Sequence, residues 1–244
     1  MKRVLTTMAF AIGLATAATA AHADFLFDNF SDDQGPVIDN SIGGIVSSGY
    51  QAVSAGNTDI ANFYRQLATS LTGGAPGSKI EAHVIGGLFN SSQSTPNATG
   101  FSTVDWRIGA TGTGTANLTA WQSLALSVQI AAADIANGAI RFFLVDADGT
   151  SIQTVMNIAA PIIFGSPQTF NKNFSDFSVV NAGTTAGFDW TQFKNAALTI
   201  DGQAIPSLDV SIDIIKAVPE PGSLALLGTA LAGIAFVSRR RRQQ

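Results

Sequence analysis

From Asp24 to Ala217 the apolar residues of this chain recur at every second position in short runs, and nearly every run stops at a turn signal. LALSVQI sets Leu124, Leu126, Val128 and Ile130 on one side and Ala125, Ser127 and Gln129 on the other. A period of two is that of a strand with one buried face, not of a helix. AIRFFLVDADGTSIQTVMNI reads as two strands joined by a tight turn at Asp148-Gly149. In SLDVSIDIIKA, Leu208, Val210, Ile212 and Ile214 alternate with Ser207, Asp209, Ser211 and Asp213, which puts Asp209 and Asp213 on one non-apolar face. Glycine pairs at Gly43 and Gly73, STPNATG from Ser94, TGTG from Thr111 and NG at Asn137 punctuate the runs. Punctuation at this density with no long linker predicts one all-β domain, an antiparallel sandwich. NTDIANFYRQLATSLTGG has the apolar spacing of an amphipathic helix and also alternates; the strand, from about Tyr64 to Thr72, is preferred.

Both ends depart from this pattern. The first 23 residues carry Lys2 and Arg3, an apolar run from about Val4 to Ala18, and small residues closing on Ala21-His22-Ala23. That is the layout of a secretory signal peptide cleaved between Ala23 and Asp24, which predicts export through the Sec translocon and trimming by signal peptidase. The other end reads AVPEPGSLALLGTALAGIAFVSRRRRQQ. Ser223 to Val237 would form a transmembrane helix about 22 Å long, short of the roughly 30 Å hydrocarbon core. Arg239 to Arg242 can snorkel to the headgroups and hold the C terminus in the cytoplasm, with the body outside. Pro219 and Pro221 keep Glu220 in an extended, stiff segment.

Charge and cysteine usage exclude several functions. The body holds fifteen Asp and Glu81 against seven Lys and Arg, a net charge of −9 that the whole-chain value of −4 conceals. An acidic body with scattered cations lacks the basic face that nucleic acid requires. With no cysteine, thiolate zinc sites and cysteine nucleophiles are absent. His83 is the sole histidine after Asp24, and no G-x-S-x-G elbow accompanies it, so no catalytic residue is assigned. DADG at Asp146 begins like an EF-hand loop but lacks the later ligand positions, and reads as a hairpin turn. Among the aromatics, Trp121 precedes an apolar strand and belongs in the core. Trp106 and Trp190, beside Asp105 and Asp189, are the candidates for stacking on a sugar ring, with Tyr50 and Tyr64 as further platform residues.

Two resemblances follow from these residues. Val218-Pro219-Glu220-Pro221, the Leu/Ala/Gly span and the terminal arginines resemble the PEP-CTERM sorting signal of Gram-negative bacteria that make exopolysaccharide. This implies recognition of Pro219, Glu220 and Pro221 by an exosortase, transient residence in the inner membrane, retention through Arg239, Arg240, Arg241 and Arg242, and delivery to the cell surface or exopolysaccharide matrix. The order of DFLFDNFSDD, AWQSLALSVQI, FFLVDADGTS, FDWTQFKNAALTIDG and LDVSIDII resembles galactose-binding-like jelly rolls, which include carbohydrate-binding modules. That resemblance implies a calcium ion tying the first strand to the last, through Asp28 and Asp213 with Asp32, Asp33 and Asp209 as substitutes. The resulting expectation is an exported, non-enzymatic jelly roll with a structural role at the surface, or else one that binds the matrix glycan.

Overall fold

The computed structural model describes residues 24–94, 97–184 and 187–219. The expected signal segment with Ala21 and Ala23, and the tail from Glu220 onward with Pro221, the span 223–237 and Arg239 to Arg242, lie outside the described residues. Among the described residues no helix is long and apolar enough to cross a membrane.

The strands are β1 (Phe25–Asp28), β2 (Gln34–Asp39), β3 (Val46–Ser47), β4 (Gln51–Ala52), β5 (Phe63–Gly73), β6 (Ile80–Ile85), β7 (Leu88–Gln93) and β8 (Thr99–Ile108), followed by β9 (Leu124–Ala133), β10 (Ala139–Asp146), β11 (Ser151–Asn157), β12 (Gln168–Asn173), β13 (Ser178–Asn181), β14 (Phe193–Asp201) and β15 (Val210–Pro219). They form two antiparallel sheets, as the alternation predicts. One is seven-stranded in the order β12-β9-β15-β7-β6-β2, with β1 also on β15; the other is eight-stranded in the order β13-β11-β10-β14-β8-β5-β3, with β4 also on β5. The ambiguous segment is strand β5, one residue longer at each end than expected. The Asp148-Gly149 hairpin is present, with Val145 opposite Ser151.

The inner faces meet in one main core, and Leu71, Ile80 and Ala98 form a small separate cluster. Phe27 is the hub of the main core, with edge-on contacts to Phe63, Trp106, Trp121, Phe142 and Phe193. A short N-terminal strand thus reaches rings from both halves of the chain, and edge-to-face pairs of this kind add about 0.5–1.5 kcal/mol each beyond burial. Trp121 is buried as expected.

Strand β15 departs from its expected pattern. Its pairing with β9 shifts register between Ser211 and Ile212 and again between Ile212 and Ile214. Such bulges turn the following residues to the other face. The buried set therefore changes from Leu208, Val210 and Ile212 to Ile215 and Ala217, leaving Ile214 half-buried rather than in the core. The irregularity falls where the partner on the far side of β15 changes from β7 (Val210↔Ser91 to Ile212↔Phe89) to β1 (Asp28↔Ile215 to Phe25↔Ala217).

Candidate functional site

Trp106 is fully buried, ringed by Phe27, Phe30, Phe63 and Phe142, and its indole Nε1 donates to Asp28 Oδ2 at 2.7 Å. It faces the core and cannot stack on a glycan, because alternation along β8 sends Val104, Trp106 and Ile108 inward. Trp190 is half-buried, held edge-on by Phe174 and Phe188.

Asp28 is buried too, which removes it from the expected calcium pair. Its two oxygens face Arg65 Nη1 at 3.0 and 2.9 Å, and it also accepts from the Phe30 amide. Arg65 is equally buried; its Nε donates to Gln34 Oε1 and its Nη2 to the Asp32 carbonyl. Burial pushes the Asp28 carboxyl up, while the Arg65 guanidinium and the Trp106 and Phe30 N–H groups pull it back. This is a core ion pair with every charge-bearing atom engaged. Asp213 lies elsewhere, lining a groove of about 490 Å³ with Asn29, Ser31, Leu88 and Phe164. The three substitutes brace loops and strands: Asp32 accepts from the amide and hydroxyl of Ser54, Asp33 from the Gly86 amide, and Asp209 from the Gln93 amide. Among the described residues no three His, Cys, Asp or Glu side chains come together as a metal-holding group.

A second groove of about 490 Å³ runs along β6, lined by Asp33, Gln51, Glu81 and His83. His83 Nδ1 is 3.6 Å from Glu81 Oε1, too long for a hydrogen-bonded acid–base pair.

The outer face of the eight-stranded sheet is different in kind. Strand registers align Gln66, Asp105, Ala197, Phe143 and Gln153 in one row across β5, β8, β14, β10 and β11. Tyr64, Arg107, Asn195, Val145 and Ser151 form the row on one side, and Ala68, Thr103, Thr199, Arg141 and Val155 the row on the other. The segment leading into β4 bounds this face by laying Tyr50 on it, with the Arg107 guanidinium carbon 3.5 Å from the ring centroid. Arg107 Nη2 also donates to the Ala110 carbonyl, so the cation is fixed from both sides. Thr103 and Thr199 bond across strands at 3.2 Å, and Arg141 meets Asp201 at 3.3 Å. For Gln66, Asp105, Gln153 and Asn195, no side-chain partner is found among the described residues. These side chains are partly exposed, as are the rings of Tyr50, Tyr64 and Phe143.

Asp105 sits in the central row. Burial raises its carboxyl to about 6. Burial, then the Asp105 charge, raises the Tyr50 hydroxyl, against the pull of Arg107. A half-buried carboxyl, a clamped guanidinium, amides and partly exposed rings on one sheet face can together accept and donate hydrogen bonds to hydroxyls while apolar ring faces lie on the aromatics. Tyr50 and Tyr64, expected as platform residues, are here; Asp105, Arg107 and Phe143 are residues the tryptophan-centred reading missed. The signal was the parity of FSTVDWRI, which puts Phe101, Thr103, Asp105 and Arg107 on the face opposite Trp106.

No curated protein matches the chain in sequence. Among solved structures, the sandwich is similar to the family 11 carbohydrate-binding module of a cellulosomal cellulase of Clostridium thermocellum, at 12% identity and TM-score 0.41, covering 81% of this chain and 95% of that one. It is also similar to a family 30 carbohydrate-binding module of another cellulosomal cellulase of that organism, at 13% identity and TM-score 0.46, covering 82% and 99%. An agarase matches at 11% identity and TM-score 0.43 over 71% of this chain, which spans only 25% of the agarase. At these identities the likeness is one of fold. The C-terminal segment is matched in sequence: residues 217–242 are a PEP-CTERM protein-sorting motif.

Proposed function

We propose that the protein is exported, sorted through its PEP-CTERM tail by an exosortase, and left at the cell surface as a non-enzymatic sandwich that holds a polysaccharide on the outer face of its eight-stranded sheet. The observation that carries the glycan reading is the central patch of that face: Asp105, Gln66 and Asn195, whose side chains find no hydrogen-bond partner among the described residues, beside Tyr64 and the Tyr50-clamped Arg107. A side chain that only keeps a sheet wet has no need of a desolvated carboxyl, which carries a free-energy cost unless a ligand uses it. An open face fits a chain molecule better than a small one, because an extended polymer gathers weak contacts over several rows.

The test is binding of the processed protein, recovered from the host surface, to the host's exopolysaccharide and to a glycan array. Tyr64→Ala and Asp105→Ala should each weaken binding while Trp190→Ala leaves it intact. Binding unaffected by both face variants would remove this face from the reading, and no binding to any glycan would leave a purely structural sandwich.

A further inference from the structure

The first and last strands of the described body are neighbours. Phe25 lies opposite Ala217 and Leu26 opposite Lys216, antiparallel, and the Asp24 carboxylate is 3.5 Å from Lys216 Nζ. Asp24, the first residue after the expected signal-peptidase cut, therefore stands at the sheet position beside Val218, where the sorting motif begins. On its other side β15 stays paired with β9 as far as Pro219, which faces Leu124. The motif has no linker before it: its first proline is still paired within a sandwich strand.

Strand β1 is held on both edges. The Leu26 amide donates to Asp59 Oδ2, the Asp59 amide donates to the Leu26 carbonyl at 2.8 Å, and the Asn29 amide bonds the Asn57 carbonyl. Phe27, in the middle of β1, is the hub of the core. Peeling β15 from this arrangement would expose Ile215 and Ala217, both fully buried, and break pairing on two sides. An enzyme that binds its substrate as a strand cannot take residues 215–217 while both their edges are occupied. On the β1 side the paired residues run as far as Ala217, and Pro219 has no N–H to donate to a ladder.

We infer that the exosortase acts on the folded, clasped body, with β1 and β9 still paired to β15. This rests on the sorting reading above. The enzyme then meets Pro219 while that residue is still paired with Leu124 of β9. The bond it breaks lies C-terminal to Pro219. A water or an acceptor nucleophile adds to that carbonyl carbon, the departing amine takes a proton, and all of β15 remains with the body. The clasp also brings both membrane-directed segments to one end of the sandwich, so the sheet can close while both are still attached.

The chain has no cysteine, which allows a clean test. Because the main-chain groups of Leu26 turn toward Asp59, Leu26 and Lys216 form a non-hydrogen-bonded pair, whose Cα atoms lie about 4.5 Å apart, within disulfide range. In the full-length protein carrying Leu26→Cys and Lys216→Cys, the oxidising exterior should form one disulfide, verified by a mobility shift without reductant. The expected result is loss of the tail at the wild-type rate and a mature C terminus at or beyond Pro219 by mass spectrometry. Accumulation of oxidised full-length protein in the inner membrane, relieved by reductant and absent from either single-cysteine variant, would overturn the inference. So would a mature C terminus before Pro219. Glu220→Ala run in parallel separates the two ideas: if it is processed like wild type, the sorting reading fails whatever the locked variant does.

Discussion

Replacing Asp105 by Asn probes the candidate face through stability alone, before any ligand is known. Burial lifts this carboxyl from 3.8 to about 6, so the folded protein binds its proton more tightly than the unfolded chain does. Between about pH 4 and pH 6 the folded state therefore holds the extra proton, and stability falls as pH rises through that window. Above it the whole cost of the desolvated charge is present. Two pKa units correspond to about 3 kcal/mol, which the partial exposure of the side chain reduces to about 2 kcal/mol. Asparagine keeps the shape and carries no charge. At pH 8 the Asp105→Asn protein should thus be the more stable by about 2 kcal/mol, or about 4–8 °C in Tm for a domain of this size. At pH 4 the two melting curves should coincide. Thermal unfolding followed by circular dichroism at both pH values is sufficient. If Asp105→Asn is instead the less stable at pH 8, the carboxylate is paired rather than stranded, and the argument that it awaits a ligand fails.

Other substitutions separate the core from the face and the body from the tail. Asp28→Asn should destabilise the fold by about 3–5 kcal/mol, because it strands the buried Arg65 charge. A calcium chelator should leave that loss unchanged in chemical denaturation, whereas an ion clip through Asp28 would make it chelator-sensitive. Trp106→Phe removes the indole donor to Asp28 and should cost about 1–3 kcal/mol while leaving glycan affinity at the wild-type value. Tyr64→Ala should do the reverse, keeping Tm within about 2 °C and lowering glycan affinity. Glu220→Ala should leave export intact and cause full-length protein to collect in the inner membrane, seen by fractionation and blotting.

Sheet composition was legible because alternation and turn residues act locally. Strand β8 shows how far that goes: its parity alone sends Trp106 inward and Asp105 outward. Choosing Trp106 for the glycan relied on its neighbour in sequence, and neighbours along a strand point in opposite directions. Asp28 was misread for another reason. What neutralises it is Arg65, 37 residues away on a strand of the other sheet, and no local pattern announces that pairing. The bulge in β15 was equally hidden, since it falls where β7 gives way to β1 and both strands come from distant parts of the chain. The candidate face was half visible. Tyr50 and Tyr64 could be named from ring chemistry, and parity puts Asp105 and Arg107 on an outer face, but that they share it with Tyr64 emerges only from the strand registers.

The position of β15 also has a mechanical consequence. A pull on the C terminus runs along the axis of this strand, while its hydrogen bonds to β9 lie perpendicular to that axis. Tension therefore shears the whole ladder from Pro219 to Val210 at once, with β1 and β7 resisting from the opposite edge, instead of unzipping it bond by bond. A body suspended by this end in flowing water would be gripped through a strand with neighbours on both sides.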